Sequence, residues 1–258
     1  MSIGPVVRRR LSRFEKPAAE AYRKLFFDLD HFGRLSRDLA RPGVKRILEI
    51  GCGDGAVADR ITAAFPSANY VGIDVAEGPG RRYSGHRERA EFHCMYSHEL
   101  RATDPAPFDL VLIVDVLHHV PDDPARVALL ADAAAMTAPG GTVLVKEWER
   151  VNSVPYAAGW VANFLVSGDR KARYMVRAEL CAHLDRAAAG LTHQGTVQVG
   201  PWGCNVVHVL CAALPRTANR PPGRLPGESS TAQNVRTTPP VGVTQLRGVR
   251  PAGRMGTE

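Results

Sequence analysis

Three acidic residues, a glycine bend and a histidine pair carry the chemistry open to this sequence. Glu49-Ile50-Gly51-Cys52-Gly53-Asp54-Gly55 is an apolar run that breaks into alternating glycines. Glycines where a strand gives way to a helix let the backbone pass under a ligand without Cβ clashes. The helix N-terminus that follows offers N–H groups to an anionic or polar group. Asp74 stands 19 residues beyond Gly55, at the end of the next β-type run, Asn69–Ile73. A carboxylate there can accept both hydrogen bonds of a ribose diol. Glu49 lies two residues before Gly51. A charge inside a buried strand is costly without a partner, and a cationic or amino-bearing ligand would supply one. Asp115 precedes Val116-Leu117-His118-His119, so two imidazoles follow a third apolar run. Imidazole moves protons near neutral pH.

The glycines alone fit two cofactor classes. Gly51-x-Gly53-x-x-Ala56 matches the dinucleotide fingerprint in outline, which leaves an NAD-linked dehydrogenase open. Three features point elsewhere: Glu49 within its strand, the stretch Phe108–Asp122, and Ala138-Pro139-Gly140-Gly141 before another β run.

The elements that must position these residues are legible from Val44 on. Lys45–Ile50, Asn69–Ile73, Phe108–Val116 and Thr142–Lys146 read as strands, and Glu91–Met95 as a fifth. The near-continuous apolar character of Phe108–Val116 is that of a strand buried on both faces. Val57–Phe65 and Pro124–Thr137 have helical spacing. Strands alternating with helices imply right-handed crossovers and a mostly parallel sheet. Residues 74–91 lack a regular crossover pattern and predict a short or distorted helix. Pro139-Gly140-Gly141 predicts a turn. Later helices are expected at about 156–167 and 176–189, and an edge hairpin from Thr196–Val199 and Asn205–Ala212.

The flanks differ from this body. Phe14, Ala18, Tyr22, Leu25, Phe26, Leu29 and Phe32 recur at helical spacing and predict one helix over 14–40, stopped by Arg41-Pro42-Gly43. Residues 216–258 hold no aromatic residue but six prolines and six glycines, a composition that predicts disorder. The net charge of +7 divides into +7 over 1–46, −5 over 47–215 and +5 over 216–258, so the basic character belongs to the ends. Basic ends can meet RNA or an anionic surface, or simply remain solvated. Five cysteines with no C-x-x-C pair argue against a disulfide framework and for a cytoplasmic home. No run approaches the roughly 18 apolar residues of a membrane helix. Arg8-Arg9-Arg10 lacks the apolar run of a secretory leader behind it.

The ordered set LEIGCGDG (48–55), VGID (71–74), FDLVLIVDVLHHVPD (108–122) and APGGTVLVKE (138–147) resembles the class I S-adenosylmethionine-dependent methyltransferases of small-molecule type. The likeness runs over about residues 40–214. It implies a Rossmann-like α/β fold with a seven-stranded, mostly parallel sheet and helices on both faces. The organisation would be an N-terminal helical segment (1–43), the cofactor-binding domain (44–214) and a tail (215–258). It places Gly51 and Gly53 beneath the methionine and ribose parts of S-adenosylmethionine, Glu49 near its amino group and Asp74 on the ribose hydroxyls. Val75 would flank the adenine. Relatives often carry an acid after the third strand; here Met95 or Ser97 would take that place. Asp115 would face the methionine moiety, and His118 or His119 would serve as a base.

The acceptor is narrowed by what is missing. No Asn/Asp-Pro-Pro-aromatic motif follows the fourth strand, and no Pro-Cys nucleophile motif is present. The spacing of His93, Cys94 and His98 matches no zinc pattern, so no metal is expected. A small-molecule or lipid-like acceptor is therefore favoured, with specificity placed in about residues 150–178. Tyr156, Trp160 and Phe164 could floor a pocket there. Arg170, Lys171, Arg173 and Arg177 could meet an anionic substrate. The alternatives are RNA or protein methylation, prompted by the basic N-terminal segment, and a non-catalytic S-adenosylmethionine-binding module.

Overall fold

A computed structural model describes residues 27–151, 153, 156–157, 160, 172–187, 190–200 and 203–214. The apolar runs become β1 (Arg46–Ile50), β2 (Asn69–Asp74), β3 (Ala90–Cys94), β4 (Phe108–Val114) and β5 (Thr137–Trp148). A hairpin of β6 (Leu191–Gln198) and β7 (Asn205–Ala212) completes one seven-stranded sheet in the order β3-β2-β1-β4-β5-β7-β6. β1 to β5 are parallel, and β7 pairs antiparallel with both neighbours. This is the Rossmann-like, mostly parallel α/β sheet that the alternating pattern predicts.

Alternation along the strands separates two cores. On one side Ile47, Tyr70, Leu110, Leu112 and Leu144 pack under α1 (Leu29–Leu39) and α2 (Ala56–Ala64). On the other, Leu48, Ile73, Val111, Ile113, Val143 and Val145 pack under α4 (Asp123–Met136) and α5 (Arg177–Ala187), with Leu100 of α3 (Ser97–Ala102) beside them. β1 and β4 are apolar nearly throughout because helices cover both faces. No helix among the described residues is long and apolar enough to cross a membrane.

Three expectations change. The helix predicted over 14–40 does not run through residue 28. Asp28 has extended backbone and caps α1, its carboxylate accepting from the His31 N–H at 2.8 Å. The apolar stripe continues across this cap, so periodicity alone hides the break; residues 14–26 lie outside the described residues. Pro139-Gly140-Gly141 is not a turn ahead of β5 but an irregularity inside it. Phe108 pairs with Thr137 and Leu110 with Thr142, and Gly140 absorbs the slip at φ 75°. Third, β6 starts earlier than the predicted Thr196. The weak crossover at 74–91 is as expected. Its helical content among described residues is a single 3₁₀ turn, Arg87–Arg89. Tyr83 fills the space a helix would occupy, its ring 5.2 Å from that of Phe92, which lies 5.6 Å from Tyr70. The predicted tail at 216–258 lies outside the described residues.

α4 also fixes the loop that follows β4. Arg126 is fully buried; its Nε donates to the Leu117 carbonyl at 2.9 Å and its Nη2 to the Val120 carbonyl at 2.6 Å. Nη1 pairs with Asp123 at 2.7 Å. Arg126→Met keeps the aliphatic stem and strands two buried carbonyls. It should lower unfolding free energy by about 2–4 kcal/mol in urea titrations. A loss under about 0.5 kcal/mol would mean the loop holds itself.

Candidate functional site

The carboxyl ends of β1, β2, β4 and β5 converge at one edge, where ligands of open α/β sheets bind. β1 ends in the glycine bend. Gly51 and Cys52 donate to the Ile73 carbonyl at 2.7 and 3.0 Å, which presses the bend onto β2. Gly51 has φ 79°, and a Cβ there would lie 2.3 Å from a Val116 methyl, so no other residue fits. Gly53 also has positive φ, but a Cβ there would meet nothing within 4 Å. One glycine lets two chain segments meet, and the other borders open space.

Asp74 closes the bend. Its Oδ2 accepts from the Gly53 N–H at 2.7 Å and its Oδ1 from the Ala76 N–H at 2.8 Å. Each oxygen keeps a further lone pair, so a fixed carboxylate can still receive two hydroxyls. Val75, 59% exposed, presents an apolar surface beside it. Met95 donates its N–H to the Asp74 carbonyl at 3.0 Å and stands partly buried next to β2. Ser97 is not brought to this rim. Its hydroxyl donates to Asp132 at 2.7 Å, and Arg101 binds the other oxygen at 2.7 Å, which ties α3 to α4. The helical start at Ser97 turns its side chain toward α4, and sequence spacing could not show that. The two histidines nearby are used otherwise: His93 of β3 pairs with Glu91, and the His98 ring of α3 stacks on Tyr96.

Glu49 is buried on the α1/α2 side, and the Tyr70 hydroxyl donates to it. Burial pushes its carboxyl up to about 8, assisted by the negative charges of Asp74 and Asp54 and opposed by the Tyr70 hydrogen bond. The Cys52 thiol is pushed up by the same burial. Glu49 is thus a buried acid whose hydrogen-bond partner is a neutral phenol, close to the open bend.

β4 is followed directly by Asp115, whose backbone is left-handed at φ 56°. Its carboxylate takes both contacts from Lys146 Nζ, at 2.7 and 2.6 Å. Next comes a 3₁₀ turn, Leu117–His119. His118 is buried, with Nδ1 2.7 Å from Glu147 Oε2. Glu147 Oε1 accepts from the Leu117 N–H at 2.6 Å. A carboxylate only accepts, so Nδ1 carries the proton and Nε2 holds the lone pair of the neutral ring. Burial pulls the His118 imidazole down, but the Glu147 charge outweighs it and the net shift is upward. Glu147 moves down against its own burial, for the reciprocal reason. The His118 ring stacks on Tyr174 at 4.5 Å and meets exposed His119 at 4.1 Å.

Asp115, His118 and Glu147 bring one donor atom each within 4.8 Å of one another. Lys146, the Leu117 N–H and the imidazole already compensate both carboxylates. Trp148, Tyr174 and Cys204 form a small buried cluster, with Tyr156 packed against it. Trp160 is half exposed, and Phe164 lies outside the described residues. Arg173 and Arg177, considered above for an anionic substrate, are engaged within the protein. Arg173 pairs with Asp123 and Glu179, and Arg177 with Glu149 through both oxygens. Arg170 and Lys171 lie outside the described residues. Sequence reasoning missed Lys146 and Tyr174. Glu147 carried the signal of a second acid at a strand end, but not its partner.

The Glu49 shift has a definite sign for stability. The unfolded chain ionises this carboxyl near 4.5, whereas the fold keeps it protonated to about 8. The folded state therefore binds the extra proton between these values, and stability falls as pH rises through that window. Glu49→Gln removes the term. Its melting temperature relative to the parent should climb from about pH 5 to about pH 8 and then level. A constant offset across this range would show that Glu49 is not protonated in the fold.

Residues 48–143 match the family profile described as a methyltransferase domain. The ubiquinone biosynthesis O-methyltransferase of Maricaulis maris is 32% identical over 156 residues, covering 57% of this chain and 59% of that protein. The one of Nitrobacter winogradskyi is 29% identical over 182 residues, 67% of each. The chain thus spans three fifths to two thirds of these curated relatives. Among solved structures, the N,N-8-amino-8-demethyl-D-riboflavin dimethyltransferase of Streptomyces davawensis shares the fold with a TM-score of 0.59 at 20% identity, covering 80% of this chain and 58% of that one. With the four motifs in order on this sheet and these relatives alongside, residues 48–143 match a methyltransferase domain and the chain is similar to the class I S-adenosylmethionine-dependent methyltransferases.

Proposed function

We propose that the protein transfers a methyl group from S-adenosylmethionine to a hydroxyl of a small-molecule acceptor by in-line displacement. One observation carries the reading: a glycine bend closed by Asp74 and a His–Glu pair share the same sheet edge. The residues fit the cofactor. Gly53 borders open space, Asp74 offers lone pairs for the ribose hydroxyls, and Val75 and Met95 flank the adenine side. Glu49, buried with a neutral phenol as partner, and Asp115 suit an ammonium group. When bound, the cofactor supplies an electrophilic methyl on a sulfonium sulfur.

The protein's own part is alignment and proton management. A hydroxyl acceptor must shed its proton as it attacks, and Nε2 of His118 is the atom to take it. Glu147 fixes the ring through Nδ1 and stabilises the imidazolium that results. Tyr174 holds the ring plane by stacking. His119, exposed beside it, is the second candidate base. The preference for oxygen draws support from this pair and from the O-methyltransferase names of the matching relatives. The cytoplasm suits a chain rich in unpaired cysteines.

Calorimetry with S-adenosylhomocysteine and with NAD tests the cofactor: binding of the first only is expected, and binding of NAD alone would overturn the reading. Incubating extract metabolites with protein and methyl-labelled cofactor then identifies the acceptor.

In that assay His118→Gln should cut turnover about 100-fold or more at saturating cofactor. Turnover should rise with pH as His118 loses its proton. Glu147→Gln removes the charge that raises His118, so this limb should move to lower pH. A near-parental rate in both His118→Gln and His119→Gln would remove the histidines from the mechanism.

A further inference from the structure

We propose that Lys146 is the positioning residue for the amino-acid end of the cofactor, acting through Asp115; this rests on the cofactor reading above. Lys146 pairs in register with Val114, the last residue of β4. The next residue, Asp115, is then fastened twice by the same partner. Its N–H donates to the Lys146 carbonyl at 2.9 Å, and its carboxylate receives Nζ on both oxygens at 2.7 and 2.6 Å. A left-handed backbone at a residue with a side chain is unfavourable and persists only where its surroundings over-determine it. Here one lysine supplies both constraints.

The ammonium itself is held. Lys146 is 2% exposed, and its Nζ lies 3.9 Å from the centre of the Phe27 ring. Burying a lysine is a poor way to gain stability, because desolvation consumes most of what the ion pair returns. What the pair yields instead is direction. Asp115 keeps 36% of its side chain exposed while Lys146 fixes its rotamer. A carboxylate offers about four lone-pair sites, so both oxygens can still accept from an ammonium on the open side.

The test separates the two ends of the ligand. S-adenosylhomocysteine carries the amino-acid group, and 5′-methylthioadenosine lacks it. Calorimetry should show Lys146→Met weakening S-adenosylhomocysteine about tenfold or more and leaving methylthioadenosine within about twofold. A Lys146→Met/Asp115→Asn double variant should be no weaker than Asp115→Asn alone, since the lysine acts through the aspartate. Parental affinity of Lys146→Met for both ligands, equal loss of both by a folded protein, or additive effects in the double variant would each overturn the proposal. If Lys146→Met does not fold, Lys146→Gln carries the same comparison. Should the parent protein bind neither ligand, the cofactor reading fails, and this inference falls with it.

Discussion

Consecutive residues of a strand face opposite ways, and at the end of β5 that alternation lays out the whole site. Lys146 turns to the α1/α2 side and holds Asp115, while Glu147 turns to the α4/α5 side and holds His118 and the Leu117 N–H. A slip of one residue would exchange them, setting a cation against the imidazole and an acid against Asp115. The register is fixed upstream, where β5 slips against β4 between the Thr137 and Thr142 pairings. The irregularity at Pro139-Gly140-Gly141 is therefore as much a part of the site as the residues that touch ligands.

The acids of the rim differ in how each is compensated, and this gives each a separate task. Asp74 is held by two backbone N–H groups, Asp115 by an ammonium, and Glu147 by an imidazole and an N–H. Glu49 has a phenol, a neutral donor, and burial governs it. Hydrogen bonds from the backbone fix direction without cancelling charge, which agrees with the role in binding hydroxyls proposed for Asp74. Partners of opposite charge hold an acid ionised inside the protein, which suits one meant to steer an imidazole.

The central strands and the glycine bend were legible because their signals are local. Phe108–Val114 is apolar at nearly every position, and Gly51, Gly53 and Asp74 sit at strand ends that spacing alone reveals. Residues whose role depends on a distant segment were not. Lys146 closes the predicted strand Thr142–Lys146 with nothing local to mark its burial, because its cover, Phe27, lies more than a hundred residues away in the chain. Ser97 reads as a rim residue until α3 turns it toward Asp132. The break at Asp28 is invisible to periodicity because the apolar stripe passes through the cap without losing phase.

The connection between β2 and β3 has no regular helix, yet it is not a free loop. Gly80 donates to the Gly53 carbonyl at 3.0 Å and Arg82 to the Asp54 carbonyl at 2.9 Å, with the Arg82 guanidinium on the Asp54 carboxylate at 3.1 Å. Connections at the surface ordinarily absorb added residues as sequences diverge. Lengthening this one between Gly78 and Tyr83 would pull the prop from behind the glycine bend. Ser84 continues the brace by donating its N–H to Asp59 at 2.9 Å, so the stretch with the least regular structure is moored to the bend and to the helix behind it.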